Sequence, residues 1–219
     1  MSFLKKENIV LDIDDVLLDF IGSLQHIVKD ISGIQYEIDN NGKVVVPNPE
    51  SWDFGIHFGL DNKKSKEIKE KIFTYGTEGN KKLYSKLKAK IGAKELLSNI
   101  VLNDIYNIHF VTAIQKENKQ DRIENLINEF SGIFNQKNHI VHCVGFDVSK
   151  TDVIQDLSPK YMVDDRLLNV VDCIEHVKDK FFWLDVGYKE LNHSFNLNKL
   201  KENDKFQEVF NLFDVCCGG

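Results

Sequence analysis

The chain has 219 residues, with 28 Lys and Arg against 34 Asp and Glu, for a formal net charge of −6. That length supports one sizeable core plus a modest insertion, and the acidic balance excludes the basic face that duplex nucleic acid requires. No run approaches the roughly 18 apolar residues of a membrane span, and Met1 to Lys6 lacks the apolar stretch of a secretory signal, so a cytoplasmic protein without a membrane partner is expected.

The first element is a short apolar run, Ile9-Val10-Leu11, that ends in Asp12-Ile13-Asp14-Asp15. A strand running into an acidic turn and then a helix puts Asp12 and Asp14 at the carboxyl end of a buried strand, where open α/β sheets bind ligands. Period-two alternation points both side chains the same way. The alternative for an isolated D-x-D-D is a helix N-terminus whose acids favour the macrodipole, and Asp15 and Asp19 are read in that sense. Val16, Leu17, Phe20, Ile21, Leu24, Ile27, Val28 and Ile31 recur at threes and fours, which predicts a helix over Val16 to Asp30 closed by Ser32-Gly33.

Tyr36 to Ile38 and Lys43 to Val46 flank Asp39-Asn40-Asn41-Gly42, a hairpin signal. Pro47-Asn48-Pro49 interrupts regular structure. Helices are predicted at Asn62 to Tyr75 and Asn80 to Lys90, separated by Gly76-Thr77-Glu78-Gly79. The stretch from Ile31 to Lys90 is too long for a connecting loop and reads as an insertion, residues 32–90, in a core made of 1–31 and 91–219. After a helix at Ala93 to Leu102, strands and helices alternate: Asn107–Thr112, Lys119–Glu129, His139–His142, Lys150–Leu157, Tyr161–Val163, Arg166–Val177 and Phe181–Leu184. That alternation predicts an α/β fold with a doubly wound, Rossmann-like parallel sheet. A last helix, Asp204 to Phe213, is expected to dock Phe206, Val209, Phe210 and Phe213 on the core.

Tyr161-Met162-Val163-Asp164-Asp165-Arg166 repeats the grammar of the first strand end. Carboxylates brought together at two strand ends repel one another, a cost that a bound cation offsets. Between them, Val111-Thr112 ends a strand in a hydroxyl, and Ser149-Lys150-Thr151-Asp152 sets a lysine at the mouth of a short helix, with Lys160 as the alternative cation. Cys143 and Cys173 read as small buried hydrophobes and Cys216-Cys217 as an exposed tail; no C-x-x-C or H-x-x-x-H spacing calls for a thiolate or imidazole metal site.

These pieces in this order, D-x-D, a Thr at the second strand end, a later Lys and an acidic pair, resemble the haloacid dehalogenase-like phosphatase superfamily. The strings Asp12-Ile13-Asp14-Asp15-Val16-Leu17-Leu18-Asp19-Phe20 and Ser149-Lys150-Thr151-Asp152-Val153, with Val163-Asp164-Asp165-Arg166 and the strand running to Tyr188, look most like its 5′(3′)-deoxyribonucleotidase branch. The sequence departs from that pattern twice. Asp15 stands where the family has Gly, and Ala113-Ile114 follows Thr112 where the branch has Ser-Pro.

The resemblance implies a Mg²⁺-dependent phosphomonoester hydrolase. Asp12 attacks phosphorus to give an aspartyl-phosphate, and Asp14 protonates the leaving oxygen and then deprotonates water. Crowding by like charges is expected to favour the protonated form of Asp14 that the first step needs. Thr112 and the Ala113 N–H hold phosphate oxygens, while Lys150 meets the charge that builds in the transition state. Mg²⁺ takes oxygens from Asp12, Asp164 and, by the resemblance, the main-chain carbonyl of Asp14, with Asp165 supporting them from behind. Insertions at this place form a cap in the superfamily, so residues 32–90 are expected to cover the site. Among the cap rings Trp52, Phe54, Phe58, Phe73 and Tyr75, the loop residues Trp52 and Phe54 are the candidates for stacking on a base. The implied substrate is a (deoxy)nucleoside monophosphate; sugar phosphates and nucleic-acid 3′-phosphate ends are the alternatives, and a non-catalytic binding module is a third. A homodimer is compatible with all of these.

Overall fold

The computed structural model describes residues 6–37, 40, 45–48, 51, 54–74, 84, 87–145, 148–187 and 197–215. Six strands, β1 (Glu7–Leu11), β2 (Tyr106–Thr112), β3 (His139–Cys143), β4 (Tyr161–Asp164), β5 (Lys180–Leu184) and β6 (Phe206–Val209), pair in parallel in the order β3-β2-β1-β4-β5-β6. Helices α1 (Phe20–Ser32), α2 (Phe54–His57), α3 (Asn62–Thr74), α4 (Ala93–Asn103), α5 (Lys119–Glu129), α6 (Thr151–Leu157), α7 (Leu167–Cys173) and α8 (Leu197–Lys201) lie between them.

The central strands are apolar on both faces because both faces are covered. Ile9 and Leu11 of β1, Ile108 and Phe110 of β2, and Val163 of β4 enter one core with Leu96, Leu97, Ile123 and Leu126 of α4 and α5. Their alternates Val10, Val111 and Met162 enter a second core with Ile154, Leu167, Val170 and Cys173 of α6 and α7. The result is an α/β fold with a doubly wound, Rossmann-like sheet.

The chain leaves β1 for β2 and β3 on one side, then returns to place β4 on the other. Strand order therefore reverses between β1 and β4, and a crevice opens at their carboxyl ends. Leu11 is in register with Val163. The Asp12 N–H donates to the Val163 carbonyl at 2.9 Å, so the residues that follow both strands stand side by side.

Two sequence expectations are corrected. The first helix begins at Phe20, not Val16. Val16, Leu17 and Leu18 are all fully buried, which no single helix face allows, and they form a tight turn in which the Leu17 and Leu18 N–H groups both donate to Ile13. Asp15 turns that corner at φ +55°, the left-handed region that a Gly would enter without strain. Asp19 then caps α1 by accepting from the Gly22 N–H at 3.0 Å, and Gly33 closes it at φ +67°. The second correction is at the other end of the chain. Residues Phe206–Val209 are not helical but form β6, and a 3-10 turn spans Leu212–Asp214. The spacing of Phe206, Val209, Phe210 and Phe213 fits a helix, but the free edge of β5 offers a full ladder of backbone partners. Phe206 and Val209 are buried against it, while Phe210 and Phe213 remain exposed.

Of the insertion, α2 and α3 are described. Tyr36, Phe58 and Ile68 share the buried cluster of Leu24 and Val28 on α1, and the Tyr36 hydroxyl donates to the Phe58 carbonyl at 2.8 Å. The Val45 N–H donates to the Glu37 carbonyl at 2.8 Å; residues 38–39 and 41–44 of the expected hairpin lie outside the described residues. Most of the helix expected at Asn80–Lys90 lies outside them too, and its described end is extended, with Ala89 bridged antiparallel to Leu18. No described helix is long and apolar enough to cross a membrane.

Candidate active site

Four acids and one lysine converge where β1 and β4 end. Asp12 and Asp164 are each bound by the Lys150 ammonium, at 2.8 Å from Asp12 Oδ1 and 2.8 Å from Asp164 Oδ2. Lys150 is buried at the mouth of α6, so it is this lysine that meets the acids. Lys160 lies on the surface with Glu7 at 3.1 Å. Burial works against the ammonium, yet the two carboxylates together hold Lys150 above the ordinary lysine range.

Asp164 is the most firmly held acid. Its Oδ1 accepts from the Arg166 N–H at 2.9 Å and from Asn169 Nδ2 at 2.8 Å, and Oδ2 takes Lys150. Asp12 accepts from the Ile13 N–H at 2.7 Å. Burial pushes its carboxyl up to about 7 against the pull of Lys150, with Asp164 and Asp14 adding to the rise. Asp165 is 4 % exposed, and among the described residues its Oδ2 has no hydrogen-bond partner. Burial first, then the charges of Asp12 and Asp164, raises it well above the carboxylate range.

Asp12, Asp164 and Asp165 bring one carboxylate oxygen each within 4.8 Å of one another. A buried set of oxygens with one orphan and two acids that resist ionisation fits a hard divalent cation, which prefers oxygen ligands and removes the cost of their charge. Sequence reading put Asp165 behind the metal ligands; the geometry groups it with them.

Asp14 is turned away from that cluster. Its Oδ2 accepts from Thr112 Oγ1 at 3.0 Å and its Oδ1 from Arg122 Nη2, while the side chain keeps 23 % exposure. Thr112, at the end of β2, is fully buried, and its hydroxyl, expected to hold phosphate, donates a hydrogen bond to Asp14 instead. Arg122 on α5 and Asn169 on α7 were not found from the sequence. Asn169 lies one helical turn after the acidic pair, a weak signal; Arg122 carried none.

A cavity of about 150 Å³ opens on Asp12, Asp14, Lys150 and Asp165, with Ala113 and Ile114 beside it. Asp15 also borders it, accepting from the Ile21 N–H at 3.1 Å; burial pushes its carboxyl up to about 7 although Lys90 opposes the rise. Phe20 and Tyr84, rings stacked at 6.4 Å and 8° between planes, form an apolar wall. Of the two rings singled out from the sequence, Trp52 lies outside the described residues, and Phe54 starts α2 with its side chain undescribed.

A fold with these strand ends has counterparts among solved structures. A hydrolase of the haloacid dehalogenase-like family from Streptococcus pneumoniae superimposes with a TM-score of 0.57 at 16% identity, covering 95% of this chain and 96% of that one. A haloacid dehalogenase-like family hydrolase from Xanthomonas campestris gives a TM-score of 0.52 at 12% identity, covering 95% and 92%. The chain has the haloacid dehalogenase-like fold. No protein-family model matches the sequence, and no curated protein is significantly similar to it. In this fold, Asp12 and Asp164 occupy the crevice at the point where strand order reverses.

Proposed function

We propose that the chain is a Mg²⁺-dependent phosphomonoester hydrolase that works through an aspartyl-phosphate on Asp12. The observation that carries this reading is the pairing of two chemically different acids on one cavity. Asp12 lies with Lys150 inside the oxygen cluster, and Asp14 stands apart from it with two hydrogen-bond donors. A nucleophile and a proton carrier need that separation of environments.

In this account Asp12 attacks phosphorus in line while Lys150 offsets the charge that gathers on the phosphoryl oxygens. Asp14 gives a proton to the departing oxygen and then takes one from the water that hydrolyses the aspartyl-phosphate. Asp12, Asp164 and Asp165 are the ligands we assign to the cation, with the Asp14 carbonyl as a fourth oxygen. When bound, Mg²⁺ neutralises the anions that the attack brings together. Thr112 positions Asp14, and the Ala113 N–H is left to hold phosphate.

For the substrate we infer a (deoxy)nucleoside monophosphate, supported by the sequence resemblance and by the flat Phe20–Tyr84 wall next to the acids. A cavity of about 150 Å³ admits the phosphoryl end and leaves the rest of the substrate to the segment we assign as a cap, residues 32–90. The test is phosphate release from nucleoside monophosphates, sugar phosphates and 3′-phosphorylated oligonucleotides, with Mg²⁺, with Mn²⁺ and in excess chelator. Release that needs the cation supports the hydrolase, and preference for nucleotides supports the substrate. Full activity in chelator refutes the acid cluster as a metal site, and sugar phosphates outrunning every nucleotide removes the nucleotidase assignment.

A further inference from the structure

We propose that Arg122 is the positioning residue that fixes the Asp14 carboxyl for proton transfer, an inference that rests on the phosphatase reading above. Arg122 is fully buried on α5, and its salt-bridge partner is Asp14. Taking a guanidinium out of water costs several kcal/mol, so a buried arginine kept for stability alone normally has its donors matched. Here Nη2 reaches Asp14, the group lies over the Tyr84 ring at 4.9 Å, and among the described residues Nε and Nη1 have no hydrogen-bond partner. A buried cation held against an acid that lines the cavity is placed for work on that acid.

The grip is two-point. Arg122 takes one carboxylate oxygen of Asp14 and Thr112 the other, which sets the plane of the carboxyl group. A carboxylate offers about four lone-pair positions, so two stay free for a proton on the cavity side. The helix that carries Arg122 is itself tied down on the same face. Asn125, one turn on, accepts from the Leu87 N–H at 3.2 Å and donates to the Leu87 carbonyl at 2.8 Å. Glu129, a further turn on, accepts from the Ala89 N–H at 3.0 Å. The stripe Arg122, Asn125 and Glu129 thus fixes the guanidinium and the strand-like return of the insertion together.

The chemistry follows from charge. As the P–O bond breaks, the electron pair stays on the leaving oxygen and the proton of Asp14 moves to it, leaving a carboxylate. Arg122 and Thr112 hold the carboxyl group in the orientation from which that transfer occurs; water then returns a proton to Asp14 as its oxygen bonds to phosphorus. Removing Arg122 should therefore hurt most where the leaving group most needs a proton. An alkyl alkoxide needs one, and p-nitrophenolate does not.

The experiment compares kcat/KM for a nucleoside 5′-monophosphate, whose leaving group is an alkyl alkoxide, and for p-nitrophenyl phosphate in wild type, Arg122→Met, Arg122→Lys, Asp14→Asn and the Arg122→Met/Asp14→Asn double variant, with folding checked by circular dichroism. We expect Arg122→Met to lose about 100-fold on the alkyl ester, the range of a general acid, and no more than about fivefold on the aryl ester. Arg122→Lys should recover part of the alkyl activity and serves as the test if the Met variant does not fold. The double variant should lose no more than Asp14→Asn alone, since the two residues act as one unit. Equal losses on both esters, no loss on either, or additive losses in the double variant overturn the role of Arg122 and leave the phosphatase reading standing. A wild type that cleaves neither ester refutes that reading and this inference with it.

Discussion

Replacing Lys150 by Met removes one charge at nearly constant volume and exposes the arithmetic of the buried acids. Lys150 is 2 % exposed, and its ammonium lies 2.8 Å from each of two carboxylates. Coulomb's law at an effective dielectric constant of about 20 gives roughly 6 kcal/mol for each contact before desolvation is counted. Desolvation offsets much of that, and removing one partner of a buried pair costs about 3–5 kcal/mol because the other charges stay behind. Without Lys150, Asp12, Asp164 and Asp165 face one another with no cation, so metal-free Lys150→Met should be destabilised by that amount near pH 8. The pH dependence has a definite sign. A carboxyl raised by burial destabilises the fold once it is ionised, and Asp12 sits at about 7 even with its lysine. Near pH 5, about two units below, the acids of the variant take up protons and most of the loss should vanish. Mg²⁺ should restore stability near pH 8 for the same reason. Urea unfolding of both proteins at the two pH values, with and without Mg²⁺, measures all of this. A variant as stable as wild type near pH 8 without Mg²⁺, or equally weakened at both pH values, would refute the reasoning.

Asp15 at φ +55° makes a backbone test: Asp15→Gly relieves the left-handed conformation and an orphan oxygen while losing the Ile21 hydrogen bond, so its stability should stay within about 1 kcal/mol of wild type. Asp15→Val should lose more than about 2 kcal/mol, because a β-branched residue is an outlier there; a valine tolerated as well as glycine in thermal unfolding would argue against the strain. His109 contacts His142 at 3.1 Å, and burial with that neighbour lowers its pKa to about 4. Since the unfolded chain binds the proton at about 6.5, stability should be full above pH 6.5 and fall toward pH 4, by at most about 3 kcal/mol; His109→Gln should flatten that slope in urea titrations, and an unchanged slope would contradict the assignment. Base–aromatic stacking is worth about 1–3 kcal/mol, so Phe20→Ala, or Trp52→Ala if the cap ring does the work, should cut kcat/KM for nucleotides roughly tenfold to a hundredfold while sparing p-nitrophenyl phosphate. Equal loss on both substrates would mean that the ring only holds structure.

What could be read from the sequence followed from period and order. Strands buried on both faces announce themselves as apolar runs, and acids at the ends of two of them mark a crevice, which is where Asp12, Asp164 and Lys150 come together. The turn at Ile13–Leu18 was not legible, because its three buried side chains mimic the start of an amphipathic helix. Strand β6 was missed because threefold and fourfold spacing of four apolar residues says nothing about an open sheet edge. Arg122 was invisible for another reason. Its meaning comes from Asp14, 108 positions away, and a charged residue on a helix reads as solvent-facing until tertiary packing buries it.

The account turns on Asp12 carrying a phosphoryl group. Quenching a reaction with substrate and Mg²⁺ during turnover, then reducing the acyl phosphate with borohydride, converts the phosphorylated aspartate to an alcohol that peptide mass spectrometry can locate. The account predicts modification at position 12 in wild type, more of it in Asp14→Asn where water activation is slowed, and none in Asp12→Asn, which should release no phosphate. Turnover with position 12 unmodified, or near-wild-type release by Asp12→Asn, would contradict it.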